Sequence, residues 1–334
     1  MQDVARRAGV HAATVSRALR NRAGVSAEVK AKVLRVAAEL GYRPNPLVSA
    51  LIRSRHSPYR AKYHATLAYL TPLTPKGAEA YRADYRDLFE GASKRAADYG
   101  YRFEEFSLGA ASMSAKRFSD ILLARNIPGL FLAPLNVAQD TLAVDWTRFP
   151  VVAIGFSQRI PVTRVVHNHS LAVREAIARC RLHGRRRIGL VLPRRVNQKV
   201  ESHWLAAYLL DQFEQSDETP VLPPLLLDEI RDREAFAAWM AAHRPDAIIG
   251  LQHFTPMHRW LKASGRQPQD VALVTLDFRE NGIKFAGIYQ DYALLGAVAV
   301  DQLVGLVERD DRITTKRAAS IVIDGVWRDG PTLV

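Results

Sequence analysis

Arg17, with Ala12 and Ala13 shortly before it, is the grouping in this chain whose residue types most clearly suit a chemistry. A guanidinium fork matches the O6 and N7 acceptors of guanine, whereas an alanine offers only a methyl contact to thymine or room for a base edge. Thr14, Ser16, Asn21 and Ser26 are short hydrogen-bonding side chains of the kind that fix phosphates and set register. The set suits a DNA duplex better than a covalent reaction. There is no Gly-rich phosphate loop, no G-x-S-x-G elbow and no H-E-x-x-H, so no enzyme activity and no cofactor are expected. His167 and His169, in "HNH", could share a metal, yet no carboxylate or further histidine follows nearby, and the run reads as a turn opening a helix.

Those residues need a helix to present them. Val4, Ala5 and Ala8 stand at helical spacing, Gly9 supplies a tight turn, and "HAATVSRALRN" carries Val15, Ala18 and Leu19 on one stripe with Thr14, Ser16 and Arg17 on the other face. A third helix starts at the N-cap Ser26, with Glu28 in its first turn and Val29, Val33, Val36, Ala37 and Leu40 as its apolar stripe. A helix, a turn and a second helix whose first residues reach base edges is the helix-turn-helix arrangement.

Charge distribution points the same way. Of 334 residues with net charge +13, the first 62 hold 13 Lys and Arg against Asp3, Glu28 and Glu39, so nearly all the excess sits in one small module. A concentrated positive field suits a polyanionic partner, nucleic acid above all. "GRRR" at 184–187 reads instead as a solvated turn before a strand. No apolar run is long enough to span a bilayer and the opening residues lack the apolar segment of a secretory signal, so a cytoplasmic protein is expected. The single cysteine, Cys180, reads as a small buried helix residue.

From about Tyr63 the chain alternates β-branched runs with helical segments, twice over: "HATLAYL", "YRFEEFSL", "IPGLFLAP" and "FPVVAIGF", then "RRIGLVLP", "PDAIIGL" and "DVALVTLDF". Strands separated by helices form parallel sheets from βαβ units, which predicts two α/β lobes. A long late helix follows in "YALLGAVAVDQLVGLVER", and "RAASIVIDGVWRDG" is expected to form one final strand.

The run "DVARRAGVHAATVSRALRNRAGVSAEVKAKVLRVAAELGYRPNP" resembles the amino-terminal domain of the LacI/GalR (lactose-repressor) transcription regulators, through D-V-A-x-x-A-G-V, T-V-S-R and G-Y-x-P-N at matching spacings. The resemblance implies base-reading positions at Ala12, Ala13 and Arg17, and phosphate contacts near Thr14, Ser16, Asn21 and Ser26. It departs at His11, where the family has a Ser cap, and the chain begins short of the family's Thr or Ser cap on the first helix. "NPLVSALIRS" would be the family's hinge helix, with Asn45 as cap and Pro46 at the first helical position. On operator DNA that helix pairs with its dimer mate in the minor groove, with Leu51 at the position of the family's intercalating leucine and Val48 replacing a common alanine.

The remainder resembles the family's periplasmic-binding-protein-like core. The implied class is α/β: a three-helix helix-turn-helix head with hinge helix, then a two-lobed core of parallel sheets flanked by helices. The expected divisions are head 1–45, hinge and linker 46–61, first lobe 62–158 plus about 291–322, and second lobe 159–290 plus about 323–334. Ligand then sits between lobes at the carboxyl ends of strands. Asp277 matches the family's hydroxyl-binding carboxylate, and Gln290 stands on a crossing segment that can face ligand. Where relatives carry an effector-gripping arginine this chain has Trp204, a possible stacking platform, with Ala207 following, and Gln252 and His253 replace Asn-Asp. Phe156 is a further candidate for the wall. The implied function is a homodimeric repressor on palindromic operator DNA, modulated by a sugar or glycoside; the rival readings are a transport-type sugar-binding protein or an enzyme on the same core.

Overall fold

In the computed structural model, residues 2–19, 24–40, 65–71, 82–107, 114–135, 144–215, 221–229, 232–251, 255–278, 284–312 and 318–334 are described. The head is three helices: α1 (Gln2–Ala8), α2 (Ala12–Leu19) and α3 (Ala27–Glu39). Gly9, at φ +66°, makes the turn after α1, and the Val10 amide closes it on the Ala5 carbonyl at 3.0 Å. Val4, Ala5, Ala8, Val15, Ala18, Val33, Val36 and Ala37 form the buried core. A core of Val and Ala alone is thin, so the Ser26 cap, whose hydroxyl accepts from the Val29 amide at 3.3 Å, is a sizeable part of its stability at about 1 kcal/mol. Leu40, expected in the stripe, is 39% exposed, because α3 with 13 residues outruns the 7 and 8 of the helices it packs on.

The rest is two parallel sheets covered by helices. The first lobe contains β1 (Ala65–Thr71), α4 (Arg86–Asp98), β2 (Tyr101–Ser107), α5 (Ala115–Ala124), β3 (Leu130–Leu132), β4 (Val151–Ile154) and β5 (Thr163–His167). The second contains α6 (His169–Leu182), β6 (Ile188–Pro193), α7 (Arg194–Lys199), α8 (His203–Glu214), β7 (Leu225–Leu227), α9 (Arg233–His243), β8 (Ala247–Gly250), α10 (Thr255–Ala263), β9 (Ala272–Phe278) and β10 (Ala286–Tyr289). The chain then returns through α11 (Tyr292–Arg309) to the first lobe and ends in β11 (Ser320–Ile323) and β12 (Val326–Arg328). Strand order is β11-β5-β4-β3-β1-β2 in one sheet and β12-β10-β9-β8-β6-β7 in the other, parallel throughout except for β12 on β10. The central strands β3, β4, β6 and β8 are buried along their whole length, as sheets with helices on both faces require.

Two expectations are corrected by this topology. "RAASIVIDGVWRDG" is two strands, because Asp324 and Gly325 carry the chain from one sheet to the other. The passage from first to second lobe falls after His167 and not at 158, because β5 pairs with β4 in the first sheet. The crossings are laced together: Asn168 caps α6 by accepting from Leu171, its amide donates to Asp324 at 2.8 Å, and its backbone N–H donates to the Ile323 carbonyl. Gly325 is required there, since a Cβ would lie 2.3 Å from Ile288.

Candidate functional site

The cleft between the lobes has a volume of about 880 Å³, in the range of small-molecule sites. Its walls are the ends that parallel strands leave open: Phe156 just past β4, His167 ending β5, Asp277 late in β9, and Gln290 just past β10. The opening turn of α4, with Arg86 and Asp87, and Asp84 just before it close one side, and α7 and α8, with Lys199 and Trp204, close the other.

Four of the five expected effector residues are therefore brought to one cavity: Phe156, Trp204, Asp277 and Gln290. Gln252 lies outside the described residues, as does His253. Trp204 is 4% exposed and packs edge-to-face on His169, with ring centroids 4.8 Å apart. Its indole N–H has no hydrogen-bond partner among the described residues. Phe156 reaches across the cleft to the His203 ring, at 4.8 Å between centroids, with the Arg164 guanidinium 5.6 Å from its ring centre. Gln290 is buried and donates its amide to the Leu276 carbonyl at 2.6 Å, so one end of it is already spent holding β9. Ala207 is buried in the second lobe's core.

Electrostatics follow from burial. His169 is pushed down to about 3, first by desolvation and then by the neighbouring imidazoles of His167 and His203, so it is neutral at physiological pH. Burial lowers Lys199, opposed by the carboxylate of Asp84 on the facing lobe. Burial likewise lowers Arg164, opposed by Glu201 of the other lobe. Glu201 and Ser202, both at left-handed φ (51° and 59°), turn the chain from α7 into α8 at this contact. Among the described residues no group of three or more His, Cys, Asp or Glu is placed to hold a metal ion.

The histidines are what reading the sequence for single motifs misses. His167 ends a strand and His169 opens a helix, the place where α/β sheets bind ligands, but the signal depends on recognising "TRVVH" as a strand of the first sheet.

In the head, Arg17 is exposed on α2, and Val15 and Ala18 beside it are buried, so the guanidinium faces away from the core. Thr14 is half-buried, its amide closing the first turn of α2 on the His11 carbonyl at 2.8 Å. Ala12, Ala13 and Ser16 lie on the same helix, and Ser26 opens α3. Asn21, Val48 and Leu51, with the expected hinge helix, lie outside the described residues.

Residues 1–45 match the family profile described as "Bacterial regulatory proteins, lacI family". Residues 1–45 are thus similar to the head of that family. Among curated proteins, the chain is 25% identical over 193 residues to the HTH-type transcriptional repressor CytR of Escherichia coli (strain K12), covering 57% of this chain and 52% of that protein. It thus spans about half the length of that relative. It is also 25% identical over 335 residues to the lactose operon repressor of the same organism, covering 92% of this chain and 84% of that protein. Among solved structures, it resembles a complex of the transcriptional regulator CelR with cellobiose, at TM-score 0.61 and 22% identity over 98% of each chain. It resembles the Lac repressor dimer bound to operator and the anti-inducer ONPF at TM-score 0.62 and 21% identity, covering 99% of this chain and 98% of that one. The fold is therefore shared with these two regulators: a three-helix head followed by a core of two parallel-sheet lobes. No helix among the described residues is long and apolar enough to cross a membrane.

Proposed function

We propose that the chain is a cytoplasmic, sequence-specific transcriptional repressor that binds palindromic operator DNA as a homodimer. A carbohydrate held between the lobes alters its grip on that DNA. The observation that carries this reading is the LacI-family head at residues 1–45 joined to a two-lobed core with a ligand-sized cleft at its strand ends. The relatives' own names point the same way: two are repressors, one solved relative holds cellobiose, and another holds operator DNA. A protein two-fold is mirrored in its DNA site, so two heads require two half-sites. The ligand acts by favouring one lobe arrangement over the other, which moves the segments leading to the heads. Ala12, Ala13 and Arg17 read bases, Thr14, Ser16, Asn21 and Ser26 hold phosphates, and Val48 and Leu51 contact the minor groove. Nothing in this reading calls for catalysis or a cofactor.

The test is selection of genomic fragments on the purified protein, followed by footprinting and gel shifts. The expected result is a pseudo-palindromic site bent by the wild type, with Leu51→Ala binding it more weakly and bending it less, because a leucine wedge is offset by the contacts that bent DNA permits. Unchanged affinity and bending for Leu51→Ala would reject the wedge, and selection of no common site would reject the function.

A further inference from the structure

Trp204 and His169 stand together in the cleft, 4% and 7% exposed, with ring centroids 4.8 Å apart. The Trp204 indole N–H and the His169 Nδ1 both lack a hydrogen-bond partner among the described residues. Two other tryptophans of the same lobe do not share this state: Trp239 donates to the Pro223 carbonyl at 2.8 Å and Trp327 to Asp329 at 2.7 Å. A buried donor left unmade costs free energy that a well-placed partner recovers, and both residues line the cleft, where a ligand can supply that partner.

The chemistry of the missing partner is constrained on both sides. An indole nitrogen only donates, so the ligand must present an acceptor. The imidazole is neutral in this surrounding, so it offers either a lone pair or an N–H. A hydroxyl satisfies both at once, accepting from the indole and completing its second bond with the imidazole. An ammonium has no acceptor to give. An anion has acceptors, but it enters a cavity whose charged lining is Asp84, Asp87 and Asp277 against Arg86 and Lys199, with Lys199 facing Asp84. With three carboxylates against two cations, desolvating an anion there is unfavourable.

We propose that Trp204 and His169 together read one hydroxyl of an uncharged ligand, and that this pair makes the cleft select neutral ligands against their anionic and amino counterparts. The inference rests on the cleft being the effector site. It differs from a guanidinium grip in that loss of one neutral donor weakens binding without leaving a buried charge behind.

The experiment is calorimetric titration of the full-length protein with neutral mono- and disaccharides, cellobiose among them, alongside the matching sugar acids, sugar phosphates and amino sugars. Melting of the ligand-free protein is followed in parallel. A neutral compound is expected to bind at least tenfold more tightly than its charged counterparts. Trp204→Phe, which keeps the ring and removes the N–H, is expected to weaken that binding about tenfold, the value of one hydrogen bond at the upper end of its range. The same variant is expected to melt, ligand-free, no lower than wild type, since removing an unsatisfied buried donor is neutral or stabilising. His169→Phe should also weaken binding. Equal or tighter binding of charged compounds overturns the proposal. So does a Trp204→Phe variant that melts lower yet binds unchanged, which would make the indole a structural group, or a panel in which nothing neutral binds. Operator selection by the same preparation separates the cases: if it succeeds while this panel fails, only the ligand assignment falls.

Discussion

Arg17→Ala is expected to weaken operator binding by about 5- to 150-fold and to relax sequence preference at one base pair of each half-site. The magnitude follows from the roughly 1–3 kcal/mol that a bidentate guanidinium–guanine contact contributes to discrimination. Arg17 is suited to that contact because α2 buries Val15 and Ala18 on the other side and leaves the guanidinium exposed. Arg17→Lys restores charge but not the planar fork, so it recovers part of the affinity and little of the selectivity. Gel shifts against a set of single-base operator variants distinguish this from a phosphate contact. Loss of a phosphate contact weakens all sequences alike and lowers the salt slope by about one. If Arg17→Ala reduced affinity uniformly across the set, Arg17 would hold backbone and not read a base.

The second large effect is on stability in acid. The folded protein holds His169 at about 3 against an ordinary value of 6.5, so between those values the unfolded chain binds the proton more readily. The sign is therefore loss of stability as pH falls below 6.5, at about 1.4 kcal/mol per pH unit once well below that value, levelling off near 3. His258, also lowered by burial and by Lys262, adds in the same direction. Urea unfolding at pH 7 and 5 isolates the His169 contribution when compared with His169→Gln: the wild type loses roughly 2 kcal/mol more than the variant over that interval. Parallel pH dependence in the two proteins would mean that the imidazole is not held neutral. The buried thiol of Cys180, raised to about 12, takes no part in this range and is protonated at every working pH.

The two-lobed core is legible because runs such as "VVAI" and "IGLVL" are apolar along their whole length, the mark of strands covered on both faces. The head is legible for a different reason: small apolar residues at helical spacing, a glycine at the turn and a serine cap leave few other local structures open. What stays hidden are features set by contacts distant in sequence. "SIVIDGVW" reads as one strand because nothing local shows that Asp324 is bonded to Asn168 and that Gly325 packs on Ile288. The arginine run reads as a solvated turn before a strand, and Gly184 and Arg186 are exposed ahead of β6, but two of its guanidiniums also make distant bonds. Arg185 donates to the carbonyls of Pro268, Gln269 and Val334, and Arg187 to those of His243 and Arg244, while Asp246 accepts from the amides of Arg186 and Arg187. These guanidiniums bolt the start of β6 to segments more than fifty residues away, which no charge count reveals.

The site divides along the same line. Asp277 and Gln290 follow from strand ends that the pattern marks, and Trp204 from the place of a missing arginine. His169 does not, because its neutrality and its neighbour are products of the fold: one residue past β5 an asparagine caps a helix and turns the imidazole toward Trp204 and His203. Such a pair becomes visible only when the hydrogen bonds of the buried atoms are accounted for.

The most direct check is a competition measurement on the intact protein, comparing its affinity for a selected genomic fragment with that for scrambled DNA of equal length between about 50 and 200 mM salt. The expected result is a preference of at least about a thousandfold for the fragment, a log-linear loss of affinity with salt, and a shift in that preference when a cleft ligand is added. Equal affinity for the two DNAs at every salt concentration, with or without ligand, would contradict it.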